Sequence, residues 1–245
     1  MELERDQENA GVRAPLLGDV PPERLRRNVS DVLENLNKNR YENFPPARLI
    51  AVTKTVTPEV VNGLKPLHVL DIGENRVQVA LPKLPKIAPE FRLHWIGRLQ
   101  TNKVKYIIDS VCMLHTLDRL ALAQEADRRA GERGLVLPTL VQVNIAREPQ
   151  KGGMPVDEVR PFLKRMSDFH QLRIQGLMSI MPLDASPQEL QTLFRGMRRL
   201  FEELRDEGME HIDMRELSMG MSHDYQIAAR EGATMVRIGT ALYRE

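Results

Sequence analysis

The 245-residue sequence predicts a single-domain α/β protein of the (β/α)8 TIM-barrel class. Eight short apolar runs alternate with helical patterns along the chain, which favours parallel strands joined by crossover helices. The length also suits this class, because barrels of this kind commonly occupy one chain of such a size as a single domain. Apolar residues make up 42% of the sequence, enough for a full core.

The first predicted element is a helix that follows an irregular amino-terminal segment. Residues 1–20 carry acids and no apolar run, so they do not form a signal peptide and are expected to be a flexible tail. Residues 21–245 are expected to form the barrel domain. From Arg24 to Asn39 the apolar residues recur on one stripe, which is typical of a helix with one buried face.

Strands and helices then alternate to the end of the chain. The predicted strands are the apolar runs 48–54, 68–73, 92–97, 111–117, 138–145, 174–180, 215–220 and 234–239. The helical patterns between them cover 58–66, 77–86, 118–134, 155–169 and 186–208. The eighth strand ends close to the last residue, so we expect no helix after it and no carboxy-terminal β-domain. The amino-terminal helix is expected to complete the outer ring instead.

Composition excludes several classes of function. The net charge of +1 argues against a protein that coats nucleic acid. The single cysteine, Cys112, excludes an intramolecular disulfide and a multi-cysteine metal site, and the six histidines are too scattered to predict a metal centre. No run approaches the ~18 apolar residues of a membrane span. The sequence therefore predicts a soluble cytoplasmic protein without a metal, a membrane partner or a nucleic-acid partner.

The chemistry is expected at the carboxyl ends of the strands, where barrels of this class carry their active groups. Lys54 follows an apolar run and is the single lysine placed within a predicted strand. Taken alone, such a lysine is more often a solvated strand end than a covalent catalyst. Strands seven and eight run into "LSMGMSHD" and "VRIGTAL", and loops at these positions form the usual phosphate site of such barrels.

A lysine that faces a phosphate site is the pairing that pyridoxal 5′-phosphate requires. The lysine forms a Schiff base with the aldehyde, and backbone groups beside Gly239 and Thr240 can bind the phosphate. Arg237 shares a strand face with Gly239 and can donate to the pyridine nitrogen. There is no Walker or G-x-G-x-x-G motif. An unrelated barrel enzyme with a phosphorylated substrate and no Schiff base stays open as an alternative.

The ordered set of motifs resembles that of the YggS/PROSC family of pyridoxal-phosphate-binding proteins over about Leu49 to Tyr243. The motifs are "AVTK", "GEN", "HWIG", "LQTNK", "VNIAREPQKGG", "GLMSI", "LSMGMSHD" and "VRIGTAL". Thr53 and Arg98 depart from the residues that the family usually carries. Each motif is weak evidence by itself, whereas their order along the chain is specific.

The resemblance implies a role for eight residues. Lys54 would hold the cofactor as a Schiff base, and Arg237 would meet the pyridine nitrogen, as in the similar barrel domain of alanine racemase. Asn75 and His94 would lie around the ring. The phosphate would be surrounded by Ser218, Ser222, Gly239 and Thr240.

The resemblance also implies a non-catalytic role in the homeostasis of pyridoxal phosphate, with PLP-dependent apoenzymes as partners. A monomer is expected, because the dimer contact that the second domain of alanine racemase provides is missing. The rival is a weak amino-acid racemase or a related enzyme. Alanine racemase takes its second acid/base from a tyrosine of an additional β-domain, across a dimer interface. The four tyrosines here, Tyr41, Tyr106, Tyr225 and Tyr243, have no sequence context that assigns one to this role.

Overall fold

The protein folds as a closed barrel of eight parallel strands, as the sequence predicts. The structure, a computed structural model, describes residues 16–148 and 150–244. Each strand pairs with the next along the chain, and the eighth pairs with the first. The strands are β1 Arg48–Val52, β2 Asp71–Glu74, β3 Arg92–Trp95, β4 Val111–Leu117, β5 Leu137–Gln142, β6 Leu172–Met178, β7 Ile212–Ser218 and β8 Met235–Ile238.

Helices follow the strands around the outside of the barrel. They are α1 Pro22–Lys38, α2 Pro58–Asn62, α3 Val77–Lys83, α4 Leu120–Gly131, α5 Val156–Lys164, α6 Pro187–Asp206, α7 Tyr225–Arg230 and α8 Thr240–Tyr243. Short 3-10 turns cover Lys65–Leu67, Leu84–Lys86, Thr101–Tyr106 and Arg165–Asp168. The longest helix, α6, begins with a capping box in which Ser186 and Glu189 satisfy each other's backbone donors.

The amino-terminal helix α1 lies against the last helix, α8. Leu25, Val29, Val32 and Leu36 form its buried stripe, and the Asn28 Nδ2 donates to the carbonyl of Leu242 at 3.1 Å. The sequence predicted no helix after the eighth strand, and this was wrong. Four residues after Ile238 are enough for one turn, and α1 packs beside that turn.

The core has two layers. The larger apolar cluster fills the space between the strands and the surrounding helices. A small cluster inside the barrel consists of Ile50, Met113, Leu140, Met178 and Met235. Because this inner cluster is small, much of the barrel interior is left to polar side chains.

The described part of the amino-terminal segment pairs with the loop after β1. The backbone N–H of Leu17 donates to the carbonyl of Thr55 at 2.7 Å, and that of Thr57 donates to the carbonyl of Leu17 at 3.1 Å. Most of the predicted tail, residues 1–15, lies outside the described residues. Within the described ranges, no helix combines the length and the apolar character needed to cross a membrane.

Candidate functional site

A cavity of about 470 Å³ opens at the carboxyl ends of the strands. Six of the eight predicted site residues line it: Lys54, Asn75, Ser222, Arg237, Gly239 and Thr240. The other two, His94 and Ser218, are buried and do not line it. The cavity therefore collects residues from both halves of the sequence at the rim where barrels carry their chemistry.

Lys54 is exposed and lies two residues beyond the end of β1. The prediction placed it within the strand, but the strand ends at Val52 and a turn begins at Lys54. That turn is held in place from both sides. The backbone N–H of Thr53 donates to the carbonyl of Gly73 at 3.0 Å, and that of Val56 donates to the carbonyl of Thr53 at 3.2 Å.

A buried ion pair lies directly beneath this turn. The ammonium of Lys83 donates to Glu74 Oε1 at 2.7 Å and to the carbonyl of Thr53 at 2.6 Å. The hydroxyl of Thr53 donates to the same carboxylate oxygen at 2.7 Å. The side chains of Lys83 and Glu74 are 3% and 1% exposed. This network joins α3, β2 and the turn that carries Lys54.

Sequence reasoning missed Lys83, although a signal was present. Val77, Ala80 and Lys83 recur every three residues and form the buried face of α3. A lysine at a position where the helix pattern calls for an apolar residue is expected to find a carboxylate, because a buried charge requires a partner.

The opposite side of the cavity is built from the loops after β7 and β8. The Ser222 hydroxyl oxygen accepts from the backbone N–H of Gly239 at 3.3 Å and from that of Ala241 at 3.2 Å. These contacts fix the Ser222 hydroxyl next to Thr240 and leave its own hydrogen to donate. Groups of this kind bind phosphate oxygens in many proteins.

Asn75 lies where the loops after β2 and β3 come together. Its backbone oxygen lies so close to Gly97 that a Cβ there would be 2.3 Å away, so a glycine is required for this approach. Asn75 Oδ1 is buried and has no hydrogen-bond partner among the described residues. A hydrogen-bond acceptor is thus left for a ligand in the cavity.

Arg237 forms the floor of the cavity and is 4% exposed. Its Nη1 donates to Ser218 Oγ at 2.7 Å, and its Nη2 donates to the carbonyl of Ser179 at 2.7 Å. Burial lowers the pKa of Arg237 to about 10, so the guanidinium stays charged at neutral pH. Two of its five N–H groups are used in this way, and others are left to meet an acceptor in a bound molecule.

A chain of hydrogen bonds runs from Arg237 through the barrel interior. Ser218 Oγ lies 3.0 Å from His115 Nδ1, and His115 Nε2 lies 2.9 Å from His94 Nδ1. His94 Nε2 then lies 2.9 Å from Asp71 Oδ1. The chain thus begins at a guanidinium and ends at a carboxylate, with two histidine rings between them.

The charged groups at the two ends of these hydrogen bonds fix the direction of donation there. Burial, followed by the charges of His94 and Arg237, lowers the pKa of His115 well below its usual value, so this ring is neutral. Burial alone would raise the pKa of Asp71, but hydrogen bonds from His94 and Arg92 outweigh it and hold that pKa well below its usual range. At the two ends the direction of donation is fixed, because Arg237 can only donate to Ser218 Oγ and the ionised Asp71 can only accept from His94 Nε2.

This chain explains where the remaining predicted residues lie. His94 and Ser218 lie one layer beneath the cavity. They are connected to Arg237 by hydrogen bonds and do not line the space above it. Asp71 and His115 were not among the predicted site residues. Both are polar residues within predicted apolar strands, and that interruption is the signal that could have indicated them.

Tyr243 also lines the cavity and was left unassigned by the sequence. Its side chain is buried, and its hydroxyl has no hydrogen-bond partner among the described residues. Burial and the charge of Glu74 raise the pKa of Tyr243 above its usual value. This phenol therefore stays protonated at neutral pH.

Comparisons with known proteins agree with this geometry. Residues 22–245 match the family model described as the alanine racemase N-terminal domain. The chain is 39% identical to the pyridoxal phosphate homeostasis protein of Aquifex aeolicus, over 89% of this chain and 96% of that protein. It is 35% identical to the protein of the same name from Synechocystis, over 81% of this chain and 91% of that protein.

A solved structure is similar over nearly the same range. PipY of Synechococcus elongatus, determined with PLP bound, superposes with a TM-score of 0.80 at 32% identity. The match covers 89% of this chain and 99% of that one. The chain belongs to the YggS/PROSC family of pyridoxal phosphate homeostasis proteins, which is built on the alanine racemase N-terminal domain.

Proposed function

We propose that this protein binds pyridoxal 5′-phosphate covalently through Lys54 and acts in the homeostasis of that cofactor. The observation that carries the proposal is the cavity at the strand ends, which an exposed lysine lines together with Ser222, Gly239 and Thr240, with Arg237 at the floor. The family relatives are named for this role, and PipY holds the same cofactor in its solved structure.

Each part of the cavity has a proposed task. The amine of Lys54 would condense with the aldehyde of the cofactor, with loss of water, and Ser222, Gly239 and Thr240 would hold the phosphate. The guanidinium of Arg237 would donate to the pyridine nitrogen, and Asn75 would lie beside the ring. His94 and Ser218 act through Arg237, because the hydrogen-bond chain beneath it fixes the orientation of the guanidinium.

The proposed role is binding rather than turnover. Pyridoxal phosphate supplies an electron sink when its ring nitrogen is protonated. A guanidinium that keeps its own proton donates to that nitrogen without protonating it, which weakens the sink. Tyr243 stays protonated, so it is not prepared to act as a base near neutral pH. The arginine is shared with the barrel domain of alanine racemase, so the protonated phenol of Tyr243 is the feature that favours a protein that holds the cofactor.

The test is the spectrum and mass of the purified protein after incubation with pyridoxal phosphate. The wild type is expected to gain visible absorbance, and borohydride is expected to fix one adduct on the peptide that contains Lys54. Lys54→Ala should lose both, whereas Lys86→Ala, which removes an exposed lysine in a 3-10 turn, should lose neither. An adduct on another lysine, or none at all, would refute the proposed anchor.

The racemase alternative has a separate test. Incubation of the loaded protein with amino acids in deuterated water should leave the α-hydrogen in place if the role is binding alone. Exchange that disappears in Lys54→Ala would instead establish catalysis and overturn the non-catalytic proposal.

We also propose that the protein is a monomer and that it can pass the cofactor to apoenzymes. Sedimentation of the loaded protein measures the first, and a single species of about twice the chain mass would contradict it. The second is measured by the rate at which loaded protein activates a PLP-dependent apoenzyme. Direct transfer would be contradicted if the loaded protein activated the apoenzyme only as fast as the free cofactor that it releases into solution.

A further inference from the structure

A second cavity, of about 610 Å³, lies beside the proposed cofactor cavity. It is enclosed by the loop after β2, the first residues of α3, the loop after β3 and the 3-10 turn Thr101–Tyr106. Asn75 and Arg98 line both cavities, so the two share one wall. Its volume is within the range typical of small-molecule sites.

The lining of this second cavity carries positive charge. Arg76, Arg98, Lys103 and Arg119 are among its lining residues, and none of the described residues that line it is an aspartate or a glutamate. Arg119 is already engaged, because it pairs with Asp118 and donates to the carbonyl of Leu99 at 2.7 Å. Arg76 and Arg98 are exposed and make no ion pair with the described residues. Two guanidinium groups are therefore left to bind an anion from solution.

A buried donor in the same wall has no partner. Trp95 is 1% exposed and lines this cavity, and its indole Nε1 makes no hydrogen bond within the described part of the chain. On β3 its neighbour His94 points into the barrel, where it meets His115, so Trp95 faces the outer layer. A buried N–H group without an acceptor is costly, and buried donors of native proteins nearly always have one.

Amide side chains complete the lining. Asn102 and Gln100 face the same space and can donate as well as accept. Guanidinium groups pair with phosphate oxygens through two parallel hydrogen bonds, and a phosphate offers more acceptor atoms than a carboxylate does. The lining therefore offers more hydrogen-bond donors than the two oxygen atoms of a single carboxylate can accept.

We propose that this second cavity is a binding site for a small phosphate-bearing anion, held by Arg76 and Arg98 with the indole N–H of Trp95 as an additional donor. The site is separate from the cofactor cavity and does not depend on the function proposed above. Because the two cavities share Asn75 and Arg98, occupation of the second is expected to change the affinity of the first.

The chain's single tryptophan makes the test direct, because it gives one indole resonance in a ¹H–¹⁵N spectrum. The probe is inorganic pyrophosphate, titrated in phosphate-free buffer into protein whose cofactor has been fixed by borohydride, so that the cofactor cavity is filled. The indole resonance of Trp95 should shift and saturate. Citrate, titrated in the same way, shows whether carboxylates substitute for phosphates, and a much weaker response is expected.

Variants identify the site. Arg76→Gln, which leaves the cofactor cavity untouched, should weaken pyrophosphate binding by about fivefold to tenfold, the loss of one charge-assisted pair. Arg26→Gln removes an exposed arginine of α1 with the same change in charge and should bind as the wild type does. Absence of a saturable indole shift would overturn the proposal. So would an equal affinity of Arg76→Gln and the wild type.

The indole shift and the affinity for pyrophosphate can both be measured without a covalently bound cofactor, so the titration is repeated on cofactor-free protein. An indole shift there, together with no reducible adduct on Lys54 after pyridoxal phosphate is added to the same preparation, would contradict the proposed function and leave the anion site standing. An adduct on Lys54 without an indole shift would contradict the anion site and leave the proposed function standing.

Discussion

Replacement of Lys83 by methionine is expected to destabilise the protein strongly. The substitution keeps the length of the side chain but removes the ammonium that contacts Glu74 and the carbonyl of Thr53. Since both charged side chains are almost fully buried, the carboxylate of Glu74 would be left without a counter-charge. Removing one partner of a buried pair costs about 3–5 kcal/mol.

The expected loss is a large part of the total stability. Natural domains unfold with a free energy of about 5–15 kcal/mol. For a domain of this length, each 1 kcal/mol lowers the melting temperature by about 2–4 °C. A loss of about 4 kcal/mol thus predicts a fall of about 8–16 °C.

Urea unfolding measures the free energy directly, and two further variants sharpen the result. Lys86→Met changes an exposed lysine three residues away and should cost less than about 0.5 kcal/mol. Lys83→Met combined with Glu74→Gln removes the uncompensated charge as well, so the pair should recover about 2 kcal/mol of the loss. A cost below about 1 kcal/mol for Lys83→Met alone would show that the pair does not hold the turn at Lys54.

Three further outcomes follow from the site. Ser222→Ala should weaken binding of pyridoxal phosphate about tenfold, by equilibrium titration, because one hydroxyl is lost from the proposed phosphate contacts; unchanged affinity would place the phosphate elsewhere. Asp71→Asn should cost about 2–3 kcal/mol in urea unfolding, because the charged end of the buried chain is lost, and a neutral effect would contradict that chain. His115 is neutral when folded but takes a proton near pH 6.5 when unfolded, so stability should fall below about pH 6.5, by up to about 1.4 kcal/mol per pH unit. His115→Gln should flatten that slope between pH 6.5 and 5, and an unchanged slope would assign it to other groups.

The barrel and its functional rim could be predicted because they follow local rules. Apolar runs that alternate with helical patterns define the strands, and the residues that follow each strand define the rim. Lys54 and Gly239 were found in this way, and both line the cavity. The short helix α8 was missed, because a single turn is too short to leave a periodic pattern.

The polar interior could not be predicted in the same way. His115 and Ser218 are 103 residues apart in sequence, and Lys83 reaches the carbonyl of Thr53 across 30 residues. A single sequence shows that a polar residue interrupts an apolar strand, but its partner depends on how the barrel closes. Side-chain direction along each strand would have been the additional information needed.

The hydrogen-bond chain connects the two ends of the barrel, which usually have separate tasks. Asp71 and Arg92 form an ion pair where β2 and β3 begin, on the rim that ordinarily serves only stability. Hydrogen bonds through two imidazole rings and a hydroxyl connect that ion pair to the guanidinium of Arg237 at the other end. A mutational scan of this protein should therefore find substitutions at the far end of the barrel that alter ligand binding without contact with the ligand. Their effects should follow the order of the residues in the hydrogen-bond series, not their distance from the cavity.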